Sequence, residues 1–133
     1  KKKALFLERV VRELRLPVQV FAGRVEEFAR QTEHQEAYPE ITARAVAPLA
    51  RLAKWCAPLQ PLGGRLFTFK GDRLKEELED LHPLQNKGLK FAVQVIDYAV
   101  WHFSAGRPER VQRKLVCLEW LEKGEYGDGK RSF

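Results

Sequence analysis

The sequence holds no methionine and only two cysteines, Cys56 and Cys117. Two thiols cannot make the framework of bridges that small secreted domains rely on, and both sit in apolar patterns, so they read as buried free thiols in a reducing compartment. The lack of methionine, with lysine at position 1, gives the expectation that Lys1 is an internal residue of a longer protein, because an initiator methionine is normally removed only ahead of a small residue. No apolar run approaches the ~20 residues that a membrane-crossing helix needs, and no signal-peptide pattern opens the chain: Lys1 to Lys3 lead into a charged amphipathic stretch. The three histidines, His34, His82 and His102, share no metal-ligand spacing with one another or with the cysteines, which argues against a zinc site. A nucleophile–base–acid constellation is missing too, which counts against a hydrolase. No internal repeat or low-complexity segment is present.

What is there suits one α/β domain. Hydrophobic residues make up 44% and charged residues 32%, enough for a real core and unlike a disordered chain. The net charge of +6 favours an anionic partner such as nucleic acid, although a solvated basic surface gives the same count. Residues 2–14 have helical spacing, with Ala4, Leu7, Val11 and Leu14 on one face and Phe6 and Val10 beside them. Val18 to Phe21 is a short, β-branched, turn-bounded run that reads as a buried strand. Residues 24–28 read as a helical turn and residues 31–39 as a polar loop. Ile41 to Val46 reads as a strand between two prolines, and Leu49 to Leu59 as a helix stopped by Pro61-Leu62-Gly63-Gly64. Arg65 to Lys70 is a strand. Asp72 caps a charged helix running through Leu81. Gly88 to Val100 and Val111 to Leu121 are two strands joined by a long basic loop from Trp101 to Arg113. Strands that alternate with helices imply a parallel sheet with helices on both faces, and two consecutive strands at the end imply a hairpin that reverses one of them. A chain that begins on a helix lacks the strand that fed it. Residues 1–123 are therefore expected to be the later part of one domain, and residues 124–133 a flexible tail.

Several segments carry a family resemblance. Lys1-Lys2-Lys3-Ala4-Leu5-Phe6-Leu7 with Val11-Arg12-Glu13-Leu14 resembles the segment after strand two of the RsmG (GidB) family. That family comprises the bacterial small-subunit (16S) ribosomal RNA guanine-N7 methyltransferases. Gly23-Arg24-Val25-Glu26-Glu27-Phe28 is similar to its segment after strand three. Thr42-Ala43-Arg44-Ala45-Val46-Ala47-Pro48-Leu49 is similar to its strand-four segment, and Gly63-Gly64-Arg65-Leu66 through Lys70-Gly71 to strand five. Each motif alone is weak; four in the same order and spacing are specific. The similarity runs over residues 1–81 and resumes at Lys114-Leu115-Val116. Tyr38-Pro39-Glu40-Ile41 departs from it, as does the basic loop from Trp101.

The resemblance implies a Rossmann-like methyltransferase sheet, mostly parallel with a C-terminal antiparallel hairpin and lacking its first strand or strands. It implies a cytoplasmic enzyme using S-adenosylmethionine, with ribosomal RNA of the small subunit as partner and neither metal nor membrane. It implies that the family's glycine-rich loop and ribose-binding acid would precede Lys1, so this stretch alone is expected to be inactive. It assigns Val25 and Glu26 to the cofactor near its adenine, and Arg44 to the cofactor as well. Arg44 is expected at the carboxyl end of a strand, where ligands bind in such sheets. No catalytic residue is assigned, since guanine N7 offers a lone pair without a proton and needs placement rather than a base. Lys70, at the end of its strand, and Arg107, Arg110 and Arg113 are candidates for substrate or RNA contact. Each has a plainer reading: a solvated helix-start carboxylate for Glu26, a structural ion pair for Arg44, a solvated lysine for Lys70, ordinary surface charge for the arginines. Trp101 and Phe103 could stack on bases, or pack in the hairpin. Two other functions stay open: a non-catalytic RNA-binding remnant of the fold, and a methyltransferase for another RNA or a protein.

Overall fold

The structure, a computed structural model, describes residues 2–124. Lys1 of the basic cluster and residues 125–133 of the expected tail lie outside the described residues. The helices are α1 (Lys2–Glu13), α2 (Val25–Arg30), α3 (Leu49–Cys56), α4 (Leu74–Glu79) and α5 (His82–Asn86). The strands are β1 (Glu40–Ala43), β2 (Arg65–Lys70), β3 (Lys90–Ser104) and β4 (Arg107–Glu122). The sheet runs in the order β1-β2-β4-β3. β1 and β2 are parallel, and β4 is antiparallel to both β2 and β3. Three strands therefore point one way and only the last is reversed, as the expected fold class requires.

One face of this sheet carries the core. Alternation along β2 sends Leu66 and Thr68 inward, both essentially without exposure. Their partners on β4, Leu118 and Val116, are equally buried. Against them pack Leu49, Leu52, Ala53 and Cys56 of α3, Leu74 of α4, and Leu81, Leu84 and Leu89 around α5. The opposite face keeps Phe69, Ile96 and Val100 more than a third exposed. Helices were expected on both faces; among the described residues they cover one. The reason is handedness: successive right-handed crossovers that advance along a sheet in one direction lay their helices on the same side. Helix α1 forms where its periodicity puts it but buries none of its side chains.

Four other expectations change. Residues 18–21 belong to no strand, and Val18 and Phe21 are about half exposed. β1 stops at Ala43, because Arg44 to Ala47 bend away and Ala45 takes a left-handed φ of 53°. Asp72 does not cap α4; the helix starts later, after Arg73, and the Leu74 N–H donates to the Gly71 carbonyl. The stretch from Trp101 to Arg113 is not a loop. Both strands continue to a tight turn at Ala105-Gly106, whose φ values of 52° and 75° match the two left-handed residues that a twisted hairpin favours.

Both cysteines are free and buried, as expected. Burial pushes the Cys56 thiol up to about 12. Burial also raises Cys117, with Arg65 opposing the shift and Glu119 adding to it. The thiolate is the reactive form, so iodoacetamide near neutral pH should leave Cys56 unmodified until denaturant is added; rapid labelling of the folded protein, followed by peptide mass analysis, would contradict this burial. No helix among the described residues is long and apolar enough to cross a membrane.

Candidate functional site

The carboxyl ends of β1, β2 and β3 lie on one edge of the sheet, because these three strands run in the same direction. Arg44 is the first residue past β1 on that edge. It is exposed and makes no ion pair among the described residues. The plainer reading of Arg44, a structural ion pair, is thus not what the geometry shows. The left-handed Ala45 next to it turns the chain sharply, and Pro48 then leads into α3.

Val25 and Glu26 open α2, where both are half-buried. α2 packs against α3, and the start of α2 shares a hollow with residues of α3 and the Pro48 before it. The Glu26 carboxylate lies 3.7 Å from the Arg24 guanidinium. Arg24, Glu26, Pro48, Arg51, Lys54 and Trp55 line an open hollow of about 440 Å³. Arg44 is outside that lining. The sequence-assigned cofactor residues therefore come from two segments, the start of α2 and the turn before α3, and Arg44 does not share the hollow that Glu26 lines.

Lys70 ends β2 on the same edge, but its side chain turns inward. Its ammonium donates to the Ala47 carbonyl at 2.9 Å and pairs with Glu77 Oε1 at 2.9 Å. The same Glu77 oxygen accepts the N–H of Leu49 at 2.9 Å, satisfying one of the free donors at the start of α3. Both charged side chains are largely buried. Lys70 and Glu77 thus pin, through Ala47 and Leu49, the α3 end of the loop that carries Arg44. Sequence reading gave Glu77 no site role: Glu76-Glu77-Leu78 entered only as the acidic run that follows strand five in the family resemblance, and spacing alone cannot separate such a residue from a solvated helix carboxylate.

Arg107 and Arg110 lie in the distal part of the β3–β4 hairpin, away from this cluster, whereas Arg113 sits at the hairpin's root, next to Lys114, the strand partner of Lys70; all three are exposed. No contact joins any of them to Lys70 among the described residues. No group of three or more histidine, cysteine or acidic side chains among the described residues is placed to hold a metal ion.

S-adenosylmethionine combines an adenine, a ribose and a cationic sulfonium with an α-carboxylate. The residues present fit part of that set. A carboxylate (Glu26) and backbone N–H groups at the start of α2 complement the adenine edge, which both donates and accepts. Arg44, free of an acidic partner, suits an acceptor on the ligand.

A family model described as rRNA small subunit methyltransferase G (GidB) matches residues 1–105. The chain is 42% identical over 91 residues to ribosomal RNA small subunit methyltransferase G of Corynebacterium efficiens, covering 65% of this chain and 38% of that protein. It is 48% identical over 82 residues to the protein of the same name from Thermotoga neapolitana, covering 60% of this chain and 35% of that one. The chain thus spans well under half the length of the curated relatives it matches. Among solved structures it resembles a SAM-dependent O-methyltransferase from Thermotoga maritima, with a TM-score of 0.56 at 13% identity over 89% of this chain and 46% of that one. At that identity the likeness shows the fold alone.

Proposed function

This chain belongs to the rRNA small subunit methyltransferase G (GidB) family, and we propose that the protein carrying it is a cytoplasmic enzyme that transfers a methyl group from S-adenosylmethionine to N7 of a guanine in small-subunit ribosomal RNA. The observation that carries this reading is the unpaired Arg44 at the carboxyl end of β1, in a segment that matches the family motif and at the edge where such sheets bind ligands. When bound, S-adenosylmethionine supplies an electrophilic methyl carbon. In this reading Glu26 and the backbone at Val25 orient the adenine, and Arg44 fixes the cofactor from the β1 side. Lys70 acts on neither cofactor nor RNA directly but holds the Arg44 loop through Ala47. Guanine N7 needs no proton removed, so positioning and exclusion of water account for catalysis.

Arg44→Ala in the whole protein is expected to weaken S-adenosylmethionine binding about tenfold or more, the usual loss for a charged hydrogen bond. Calorimetry measures it directly, and unchanged affinity would remove Arg44 from the site. If the whole protein binds no S-adenosylmethionine at millimolar concentration, it is a non-catalytic RNA-binding relative. Binding without methyl transfer to small-subunit rRNA would point to a different substrate.

A further inference from the structure

β2 ends at Lys70, paired with Lys114 of β4. The β3–β4 hairpin does not end there. It continues through the seven pairs from Tyr98 opposite Arg113 to Ser104 opposite Arg107. At the usual rise this two-stranded ribbon reaches about 24 Å past the end of β2. Because β3 runs parallel to β1 and β2, the ribbon projects from the carboxyl edge, the edge that carries Arg44. Two strand spacings separate β4 from β1, which puts the ribbon's root about 10 Å to the side of that loop. Tyr98 anchors the root, packing edge-on against Phe69 with ring centroids 6.2 Å apart.

The ribbon's composition is unusual for a free hairpin. Trp101 and Phe103 are 66% and 73% exposed. Two positions apart on one strand, they share a face, and Arg110 stands directly opposite Trp101. Arg107, Arg110 and Arg113 are exposed and lie in no salt bridge among the described residues, whereas Lys114 at the root is neutralised by Asp97. The family match ends at residue 105, so the arginine-bearing strand lies beyond it.

We infer that this ribbon is a docking arm for unpaired nucleotides of the RNA substrate, with Trp101 and Phe103 stacking on bases and Arg107, Arg110 and Arg113 meeting phosphates. The inference rests on the RNA-methyltransferase reading above and specifies how the substrate is held. Unpaired RNA is favoured over duplex on physical grounds. The major groove of A-form RNA is too deep and narrow for a ribbon, and its shallow minor groove is read through 2′-hydroxyls, not large aromatic faces. Exposed aromatics with Arg110 on the same face suit splayed bases, and Arg107 and Arg113, which the register puts on the other face, extend the positive charge along the ribbon for the phosphates. An arm beside the methyl-transfer edge would hold the strand on which the target base lies.

The test is fluorescence anisotropy of the whole protein with a labelled, unpaired, mixed-sequence oligoribonucleotide, and with the same strand annealed to its complement. The unpaired strand should bind more tightly. Trp101→Ala with Phe103→Ala should weaken its binding roughly tenfold. The Arg107→Ala, Arg110→Ala, Arg113→Ala triple variant should reduce the slope of log affinity against log salt by about 2. All five side chains are exposed, so thermal midpoints should stay within a few degrees. Tighter binding of the duplex, or aromatic variants that bind like the parent, would overturn the arm. Variants that lose only self-association in sedimentation would reassign the ribbon to a second copy of the chain. A protein that binds no S-adenosylmethionine yet loses RNA affinity in these variants would sink the enzymatic reading and leave the arm standing.

Discussion

Trp120→Ala should destabilise the fold by about 4 kcal/mol, within the range for deleting a large buried aromatic. Trp120 is 1% exposed, near the end of β4. Its ring meets Phe91 of β3 edge-on at 5.5 Å. Its indole N–H donates to Gln60 Oε1 at 2.8 Å. Gln60 is itself fully buried, and its amide donates to the carbonyls of Arg65 and Pro39 at 2.7 and 3.3 Å. Truncation thus opens a cavity and leaves a buried amide oxygen without its partner, two costs that add. Trp120→Phe separates them: it keeps most of the apolar area and should cost only about 1–3 kcal/mol, the range for an orphaned buried polar group. Urea titration reads both as shifts in midpoint at unchanged slope. Against the ~5–15 kcal/mol that stabilises an ordinary domain, the alanine loss is a large share. A cost below ~1 kcal/mol would mean that the sheet's core does not depend on this residue.

The sequence made some of this legible and hid the rest for identifiable reasons. Periodicity located α1, α3, β2 and the hairpin strands, because a half-buried strand or helix shows its buried face as a repeat. Arg44 was legible through two routes, the motif around it and its position after an apolar run. The strand expected at Val18 to Phe21 failed for want of a neighbour. In the doubly wound order, strand three pairs only with strand two, and among the described residues no strand lies beside residues 18–21. An apolar run predicts willingness to pair but cannot supply a partner. The exposed face of α1, and the sheet face bearing Phe69 and Ile96, follow the same logic: the patterns encode burial that these residues do not provide for one another. The ribbon was missed because Arg107, Pro108, Glu109 and Arg110 read as a loop. A two-stranded ribbon exposed on both faces has no buried side, so the alternation that betrays an ordinary strand is absent. The Lys70–Glu77 contact joins elements that the sequence shows only as separate charges.

That contact sets the second large effect. Glu77→Ala should cost about 2–3 kcal/mol, somewhat below the loss for breaking a fully buried pair, since Lys70 and Glu77 keep 12% and 17% of their side-chain exposure. The substitution strips Lys70 of its counter-charge and the Leu49 N–H of its acceptor at once. Lys70 would retain only the Ala47 carbonyl. The loop between β1 and α3 would then be held at one point instead of two, while its left-handed Ala45 still favours relaxation. If Arg44 binds the cofactor as proposed, S-adenosylmethionine affinity in the whole protein should fall severalfold, although Glu77 reaches the ligand only through this loop. Glu77→Gln is the discriminating variant. Its amide oxygen can still accept from Leu49, so the helix start survives while the charge on Lys70 goes unanswered; affinity intermediate between the parent and Glu77→Ala would assign part of the effect to each bond. A loss of stability in Glu77→Ala with cofactor affinity unchanged, calorimetry being run well below the unfolding transition, would show that the network braces the core alone and that the position of Arg44 is set elsewhere.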